Sequence, residues 1–225
     1  MPLPRLGSVL VTGGAGFIGS ALSQELAPHS DRWVVLDNLH PQIHPSRQRP
    51  EALHSSAELV IGDVTESEDW DRVLTMVRPD VVFHLAAETG TAQSLNEATR
   101  HASVNVVGTT EMLDAFSRAS HVPRHFILSS SRAVYGEGSW QRSDGSIITP
   151  GQRTHAQLAA SQWDFADAMA LASESRTTVP APTSIYGATK LTQEHILRAW
   201  TNARDTGLTI LRLQNVYGPG QSLIN

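Results

Sequence analysis

The stretch "VTGGAGFIG", residues 11–19, decides the fold of this chain. It follows the apolar run of residues 8–12 and leads into residues 17–27, whose apolar side chains recur with helical spacing. Its glycines fit two overlapping patterns, G-x-G-x-x-G and T-G-x-x-G-x-x-G, the second formed by Gly13, Gly16 and Gly19. Glycine lets the backbone approach a pyrophosphate, and the N-terminus of the next helix attracts that anion. The stretch therefore predicts a dinucleotide-binding loop between a strand and a helix.

Apolar runs and helical segments alternate along the rest of the chain. The apolar runs predict strands over residues 8–12, 33–36, 59–61, 81–85, 126–128 and 208–211. The segments between them predict helices over residues 17–27, 68–77, roughly 92–120, and 185–205. Strands that are apolar on both faces belong to parallel sheets covered by helices. The expected fold class is therefore α/β, with a doubly wound parallel sheet of the Rossmann type.

One stretch, residues 137–182, interrupts this alternation. It is rich in Gly, Ser, Thr, Gln and Pro, and residues 156–172 could form a helix. A connection of this length is usually functional or mobile. We expect either an insertion that lies over the functional site or a disordered flap.

The composition excludes several classes of function. The chain has 225 residues, a net charge of −5 and no basic run, which argues against a nucleic-acid partner. No apolar stretch reaches about 18 residues, so no membrane span is expected. Cysteine is absent and the histidines form no metal-like cluster, so we expect no metal site. The absence of cysteine is consistent with a cytoplasmic location.

Two carboxylates follow predicted strands. Asp37, in "VVLDNL", lies about 20 residues beyond Gly16, where a carboxylate accepts hydrogen bonds from ribose hydroxyls and repels a 2′-phosphate. This position favours NAD over NADP, although a helix cap would also account for a carboxylate there. Asp63, followed by Val64, suits the adenine end of the cofactor. An Asx turn would account for the same spacing.

Tyr186 and Lys190 are four residues apart in "YGATK", on one face of a predicted helix. Lowering the pKa of a tyrosine from about 10 to neutrality takes about 4 kcal/mol, and an ammonium about 4 Å away supplies that at an effective dielectric constant near 20. The pattern Y-x-x-x-K alone often occurs by chance. Combined with the glycine loop, Asp37 and the serines of "SSSRAVYG", residues 129–136, it predicts a tyrosine base tuned by a lysine.

In combination, these motifs resemble an extended short-chain dehydrogenase/reductase of the nucleotide-sugar epimerase/dehydratase group. The resemblance is carried by TGGAGFIGS (12–20), Asp37, Asp63 with Val64, FHLAA (83–87), SVNVVGT (103–109), SSSRAVYG (129–136), YGATK (186–190) and LRLQNVYGPGQ (211–221). It covers the chain except for residues 137–182.

The resemblance implies a role for each motif residue. Ser131, Tyr186 and Lys190 would be catalytic: Ser131 bonds the sugar hydroxyl that is oxidised, Tyr186 is the base, and Lys190 tunes it and holds the nicotinamide ribose. Ser131, Arg132 and Asn215 would contact the substrate, Asn215 at its diphosphate, and Asn105 would steady the active-site helix. The residues expected to bind NAD are Gly13, Gly16, Phe17, Ile18, Gly19, Asp37, Asn38, Asp63, Val64, Leu85, Ala86, Ala87, Asn105, Tyr186 and Lys190.

The residues after Ser131 indicate which reaction to expect. Relatives that are 4,6-dehydratases carry an Asp-Glu pair there, and decarboxylase relatives keep a glutamate, whereas this chain has Arg132 and Ala133. What remains is reversible hydride transfer, hence epimerisation of a nucleotide sugar at carbon 4. The stretches LDNLHPQIH, VYGEG and TSIYGATK further resemble 4-epimerases of dTDP-6-deoxysugars. The alternatives are a non-catalytic NAD-binding or partner-binding protein, and a nucleotide-sugar reductase or dehydrogenase.

The resemblance also bears on domains and assembly. Members of the group continue into a smaller C-terminal substrate domain, and this chain stops at residue 225. We expect residues 1–225 to form the NAD-binding domain, including the insertion at 137–182, with the substrate domain largely absent. We expect a homodimer, because this group commonly pairs through two long helices.

Overall fold

A computed structural model of the chain describes residues 5–221, so the first and last four residues of the predicted domain lie outside the described range. The strands are β1 (Ser8–Thr12), β2 (Arg32–Asp37), β3 (Ala57–Ile61), β4 (Val81–His84), β5 (His125–Ser131), β6 (Trp140–Arg142), β7 (Ile147–Ile148), β8 (Ala168–Ala170) and β9 (Gly207–Leu213). Six of them form one parallel sheet in the order β3-β2-β1-β4-β5-β9. Each of the six predicted strands is present.

The α-helices are α1 (Phe17–Leu26), α2 (Ser67–Met76), α3 (Ala98–Ala102), α4 (Gly108–Arg118), α5 (His155–Ala159) and α6 (Ile185–Asn202). The helix predicted over residues 92–120 is divided into a 3₁₀ turn, α3, a π turn at Ser103–Val107, and α4. A π turn fits one more residue into a turn and is often found at functional sites. Of the helices in the described range, none is long and apolar enough to cross a membrane.

The core lies on both faces of the sheet. On one face, β-strand side chains such as Leu10 and Phe126 pack against α2, α4 and α6 through buried residues that include Trp70, Phe116 and Leu197. On the other face, a second cluster packs against α1 and the glycine loop; it includes Val9, Val11, Trp33, Val35 and Ala15. The alternation along β1 shows why both faces are apolar, as predicted: the sheet is covered on both sides.

The stretch 137–182 forms a small antiparallel sheet in the order β7-β6-β8. The helix predicted over residues 156–172 is wrong for most of its length. A capping box between Thr154 and Gln157 starts α5, but α5 buries no side chain and ends at Ala159. β8 then pairs with β6, with Trp140 opposite Ala170. A helix needs an apolar face to pack against the protein, and strand pairing takes its place here.

Two hydrogen bonds tie the insertion to the main sheet's catalytic end. The Ala181 N–H donates to the Val134 carbonyl at 3.0 Å, and the Gln152 side chain donates to the Thr183 carbonyl at 2.6 Å. We expected either an insertion over the functional site or a disordered flap, and the structure shows an ordered insertion attached to the main sheet.

Candidate active site

A cleft of about 1560 Å³ opens along the carboxyl ends of the parallel strands. Connections from β1 and β4 leave the sheet in opposite directions, and the crevice between such strands is where open α/β sheets bind ligands. Every residue expected to bind the cofactor, apart from Asn105, lines this cleft. The three catalytic candidates and both further substrate candidates, Arg132 and Asn215, also line it.

The glycine loop fits a pyrophosphate. Gly13 has φ +64°, and a Cβ there would lie 2.7 Å from the Ala86 Cα. At Gly19 a Cβ would lie 2.4 Å from the Gly14 Cα, so the loop and α1 can pack this closely only without side chains. Gly16 caps α1 with no side-chain hydrogen bond, and the first turn carries no acidic residue. The amides of this helix end are therefore available to an anion in the cleft.

Asp37 closes β2 beside that loop. Its Oδ2 accepts a hydrogen bond from the Ala15 N–H at 3.0 Å, and its Oδ1 accepts one from the Leu39 N–H at 2.9 Å. A carboxylate offers about four acceptor positions. The two remaining positions suit the hydroxyls of a ribose, while the backbone bonds fix the carboxylate's orientation.

Asp63 lies at the far end of the cleft. Its Oδ1 accepts hydrogen bonds from the Thr65 N–H and hydroxyl at 2.9 and 2.8 Å, which is the Asx-turn geometry, and its Oδ2 accepts one from Asn38 at 2.9 Å. Burial alone would raise the pKa of Asp63, but these hydrogen bonds outweigh it, so the pKa lies below its ordinary value. Asp63 therefore makes the Asx turn and also lines the cleft, while its contact with the adenine end of the cofactor stays a prediction.

Ser131 and Tyr186 both line the cleft, and the Ser131 side chain acts on the Tyr186 phenol by lowering its pKa. The Ser184 hydroxyl caps α6 by accepting from the Gly187 N–H at 3.0 Å. A Cβ at Gly187 would lie 2.5 Å from the Ala133 carbonyl oxygen, so this glycine lets α6 approach the turn after β5. Ser131, Tyr186 and Lys190, one turn further along α6, thereby line the same cleft.

Burial changes the protonation of both catalytic side chains on α6. It lowers the pKa of Lys190 to about 7, with the nearby carboxylate of Glu194 acting in the opposite direction. Burial also raises the pKa of Tyr186 above its ordinary value, opposed by the hydrogen bond with Ser131. Burial thus acts against the lowering of the Tyr186 pKa that the spacing to Lys190 predicts, and that lowering stays a prediction.

The buried lysine makes stability depend on pH. A lysine whose pKa is about 7 when folded and about 10.4 when unfolded binds fewer protons in the folded state between those values. We expect the free energy of unfolding of the cofactor-free protein to rise by about 2 kcal/mol from pH 7 to pH 9. Urea unfolding of the wild type and Lys190→Met at both pH values measures this; the variant should lack the rise. Equal pH dependence in the two proteins would contradict the assignment.

Asn105 lies behind the cleft rather than in its lining. It is fully buried in the π turn, where its Oδ1 accepts from the Glu88 N–H at 2.9 Å and its Nδ2 donates to the Glu88 carbonyl at 3.0 Å. The same Nδ2 donates to the Thr189 hydroxyl on α6 at 2.9 Å. The geometry supports the expected steadying of the active-site helix, and the expected contact of Asn105 with the cofactor stays a prediction.

Arg132 and Asn215 are exposed at the mouth of the cleft, and the Arg132 Nε donates to the Asn215 Oδ1 at 3.3 Å. The insertion adds a second arginine to this wall, Arg153, which pairs with Glu137 at 2.5 Å and lies over the Phe165 ring. Glu137 lies in the stretch VYGEG, but no role was predicted for it, and no sequence pattern singled out Arg153.

Sequence reasoning missed two further charged groups. Arg100 lines the cleft and pairs with Glu88 and Glu97, at 2.8 and 2.9 Å. Glu194 is buried on α6, four residues after Lys190, a spacing that the sequence does show. Within residues 5–221, no group of three or more His, Asp or Glu side chains is arranged to hold a metal ion.

Comparison with known proteins identifies the family. The profile described as "NAD dependent epimerase/dehydratase family" matches residues 9–224. dTDP-L-rhamnose 4-epimerase of Burkholderia thailandensis is 61% identical over 217 residues, which cover 96% of this chain and 60% of that protein. UDP-glucose 4-epimerase of Mycolicibacterium smegmatis is 31% identical, over 94% of this chain and 57% of that one. The chain thus spans little more than half the length of these relatives.

Solved structures agree with this assignment. UDP-glucuronic acid 4-epimerase from Bacillus cereus, in complex with UDP-glucuronic acid and NAD, has a TM-score of 0.69 and 26% identity, covering 96% of this chain and 59% of that one. UDP-glucose 4-epimerase from Thermotoga maritima, with UDP-glucose, has a TM-score of 0.69 and 29% identity, covering 95% and 57%. The predicted Rossmann-type fold, the predicted NAD dependence and the predicted nucleotide-sugar epimerase/dehydratase group are confirmed: the chain belongs to the NAD dependent epimerase/dehydratase family.

Proposed function

We propose that this chain performs NAD-dependent epimerisation of a nucleotide-activated sugar at carbon 4, through a 4-keto intermediate, with dTDP-6-deoxysugars such as dTDP-L-rhamnose as substrates. The observation that carries the proposal is that Ser131, Tyr186 and Lys190 line one cleft, together with a glycine loop that fits a pyrophosphate. The 61% identity to dTDP-L-rhamnose 4-epimerase supports the choice of sugar.

Each catalytic side chain then has a defined task. Bound NAD supplies reversible hydride transfer and a positively charged nicotinamide ring. The Tyr186 Oη takes the proton of the 4-hydroxyl when the sugar is oxidised and returns it when the ketone is reduced. The Ser131 hydroxyl orients the 4-hydroxyl toward Tyr186. Because burial raises the pKa of Tyr186, its phenolate needs positive charge nearby, which the protonated form of Lys190 provides.

The cleft favours epimerisation over elimination. Elimination needs an acid and a base beside the sugar, yet Arg132 and Ala133 occupy the two positions after Ser131. Glu137 is the carboxylate that lines the cleft a few residues later, and it is engaged by Arg153. A nucleotide-sugar reductase or dehydrogenase remains the alternative, and it differs because it consumes its cofactor.

The purified protein incubated with dTDP-L-rhamnose and followed by NMR tests this proposal. The expected product is the carbon-4 epimer, formed without net conversion of NAD to NADH. Stoichiometric NADH would instead support the dehydrogenase alternative. Tight binding of NAD with no conversion of dTDP- or UDP-sugars would support the non-catalytic alternative.

Asp37 should set the choice of cofactor. We expect NAD to bind about 100-fold more tightly than NADP, because the 2′-phosphate would meet a buried carboxylate. Asp37→Asn should narrow this ratio to about tenfold or less, since it removes the repulsion and weakens the bonds to the ribose. Calorimetric titration with both cofactors measures the ratio, with the exposed Asp144→Asn as the matched control. Equal affinity of the wild type for both cofactors would refute the role of Asp37.

The proposal includes the remaining predictions. Residues 1–225 are the NAD-binding domain, the protein is a homodimer in the cytoplasm, and its partners are nucleotide sugars rather than nucleic acid, membrane or metal. Analytical ultracentrifugation tests the dimer.

A further inference from the structure

Glu194 is a buried carboxylate one helical turn beyond Lys190 on α6. Its side chain is 1% exposed, and it accepts hydrogen bonds from the Ser130 hydroxyl on β5 and from both Nε and Nη2 of Arg212 on β9, at 3.0 and 2.7 Å for the arginine. Arg212 in turn lies over the Tyr135 ring, 4.7 Å from its centroid. A buried carboxylate stays ionised only where such donors replace water. Two strands therefore supply donors that hold one negative charge on the catalytic helix.

Lys190 is also buried, with 1% of its surface exposed, and it lines the cleft. The ionisable groups near it on α6 are Tyr186 and Glu194, one turn away on either side. From β4 it faces His84, whose pKa burial lowers to about 3, with the Lys190 charge acting in the same direction, so this histidine is neutral. The carboxylate of Glu194 is therefore the negative charge that the described residues set against Lys190.

We propose that Glu194 is a positioning residue that keeps Lys190 protonated in the cleft, and that Arg212 and Ser130 hold Glu194 in place for that task. The contribution of Glu194 to turnover rests on the proposed function. Its effect on the protonation of Lys190 does not depend on that function. Residues one turn apart on a helix have Cβ atoms about 5–6 Å from each other, close enough for a strong interaction in a buried site. Arg212 disfavours the protonated form of Lys190, because it is a second cation next to the Glu194 carboxylate.

The composition provides a direct measurement. Lys190 is the single lysine among the 225 residues, so protein labelled with ¹³C-lysine gives one side-chain signal whose chemical shift reports the protonation of this ammonium. Titration of the cofactor-free protein from pH 5 to 10 needs neither substrate nor turnover. A failure of the epimerase assay would therefore leave this test intact.

Glu194→Gln should lower the titration midpoint of Lys190 by about one unit or more, because the counter-charge is lost. Arg212→Gln should raise the midpoint, since it leaves the carboxylate without its competing cation. Glu194→Asp and Arg212→Lys keep the charges and should stay close to the wild type. Circular dichroism and the melting temperature establish that each variant is folded.

A different result is expected if the ion pair between Glu194 and Arg212 is merely structural. It would lower the melting temperature in both glutamine variants without moving the Lys190 midpoint, and that result in folded protein would overturn the proposal. Opposite shifts for Glu194→Gln and Arg212→Gln would support it. Should Glu194→Gln fail to fold, the sign of the shift in Arg212→Gln decides: an unchanged or lowered midpoint overturns the proposal.

Discussion

Replacing Tyr186 with phenylalanine is expected to lower the turnover number for carbon-4 epimerisation by about 10²–10⁴-fold, because the variant lacks the group that accepts the proton. The ring remains, so α6 should pack as before and NAD should still bind. Ser131→Ala should cause a smaller loss, since the proposed role of this hydroxyl is to orient the sugar and not to act as the base. Initial rates with dTDP-L-rhamnose, beside a calorimetric NAD titration, measure both effects.

Tyr217→Phe is the matched control for this change. Tyr217 is 86% exposed, and loss of its hydroxyl should leave the turnover number close to that of the wild type. A Tyr186→Phe variant that retained more than about a tenth of the wild-type rate would show that another group takes the proton.

Gly19→Ala is expected to destabilise the protein by about 3 kcal/mol or more and to weaken NAD binding severely. The new methyl group would lie 2.4 Å from the Gly14 Cα and 2.5 Å from the Gly14 carbonyl oxygen. Because both are backbone atoms, no side-chain rotation relieves the clash, and overpacking against a rigid neighbour is at the costly end of such changes. The loop must shift, and the amides that face the cleft shift with it. Thermal unfolding and NAD titration measure the two losses.

Gly151→Ala makes the same chemical change where no heavy atom lies within 4 Å of the new methyl group. It should change stability by no more than about 0.5 kcal/mol and leave NAD affinity unchanged. Similar melting temperatures for the two variants would show that the close approach of α1 to the glycine loop is not required.

The sequence predicted best those features that depend on residues close together in the chain. β1 was predicted with its observed bounds, because a fully apolar run that ends at a group of glycines is typical of a buried strand entering a tight turn. Lys190 and Tyr186 were placed together because four residues separate them on one helix. These predictions depend on short-range spacing, which the sequence displays directly.

The errors arose where distant segments decide the outcome. The alanine-rich stretch 156–172 has a helical composition, yet β8 forms there because β6 offers a partner edge. The burial that raises the pKa of Tyr186 is likewise not visible in the spacing of Tyr186 and Lys190. The predicted steadying of α6 by Asn105 rested on the family resemblance, because its partner Thr189 lies 84 positions away in the chain. Neither composition nor periodicity carries this information.

The hydrogen bond between Ala181 and Val134 has an evolutionary consequence. It closes the insertion at its base. The geometry of the six-stranded sheet is therefore independent of the length of the insertion. Doubling the length of a flexible closed segment adds only about 0.6 kcal/mol of entropy cost. Drift in length and sequence is therefore nearly neutral for the fold, while residues that this segment contributes to the cleft, such as Glu137 and Arg153, change with it. Changes confined to this segment can therefore alter one wall of the cleft while the six-stranded sheet stays the same.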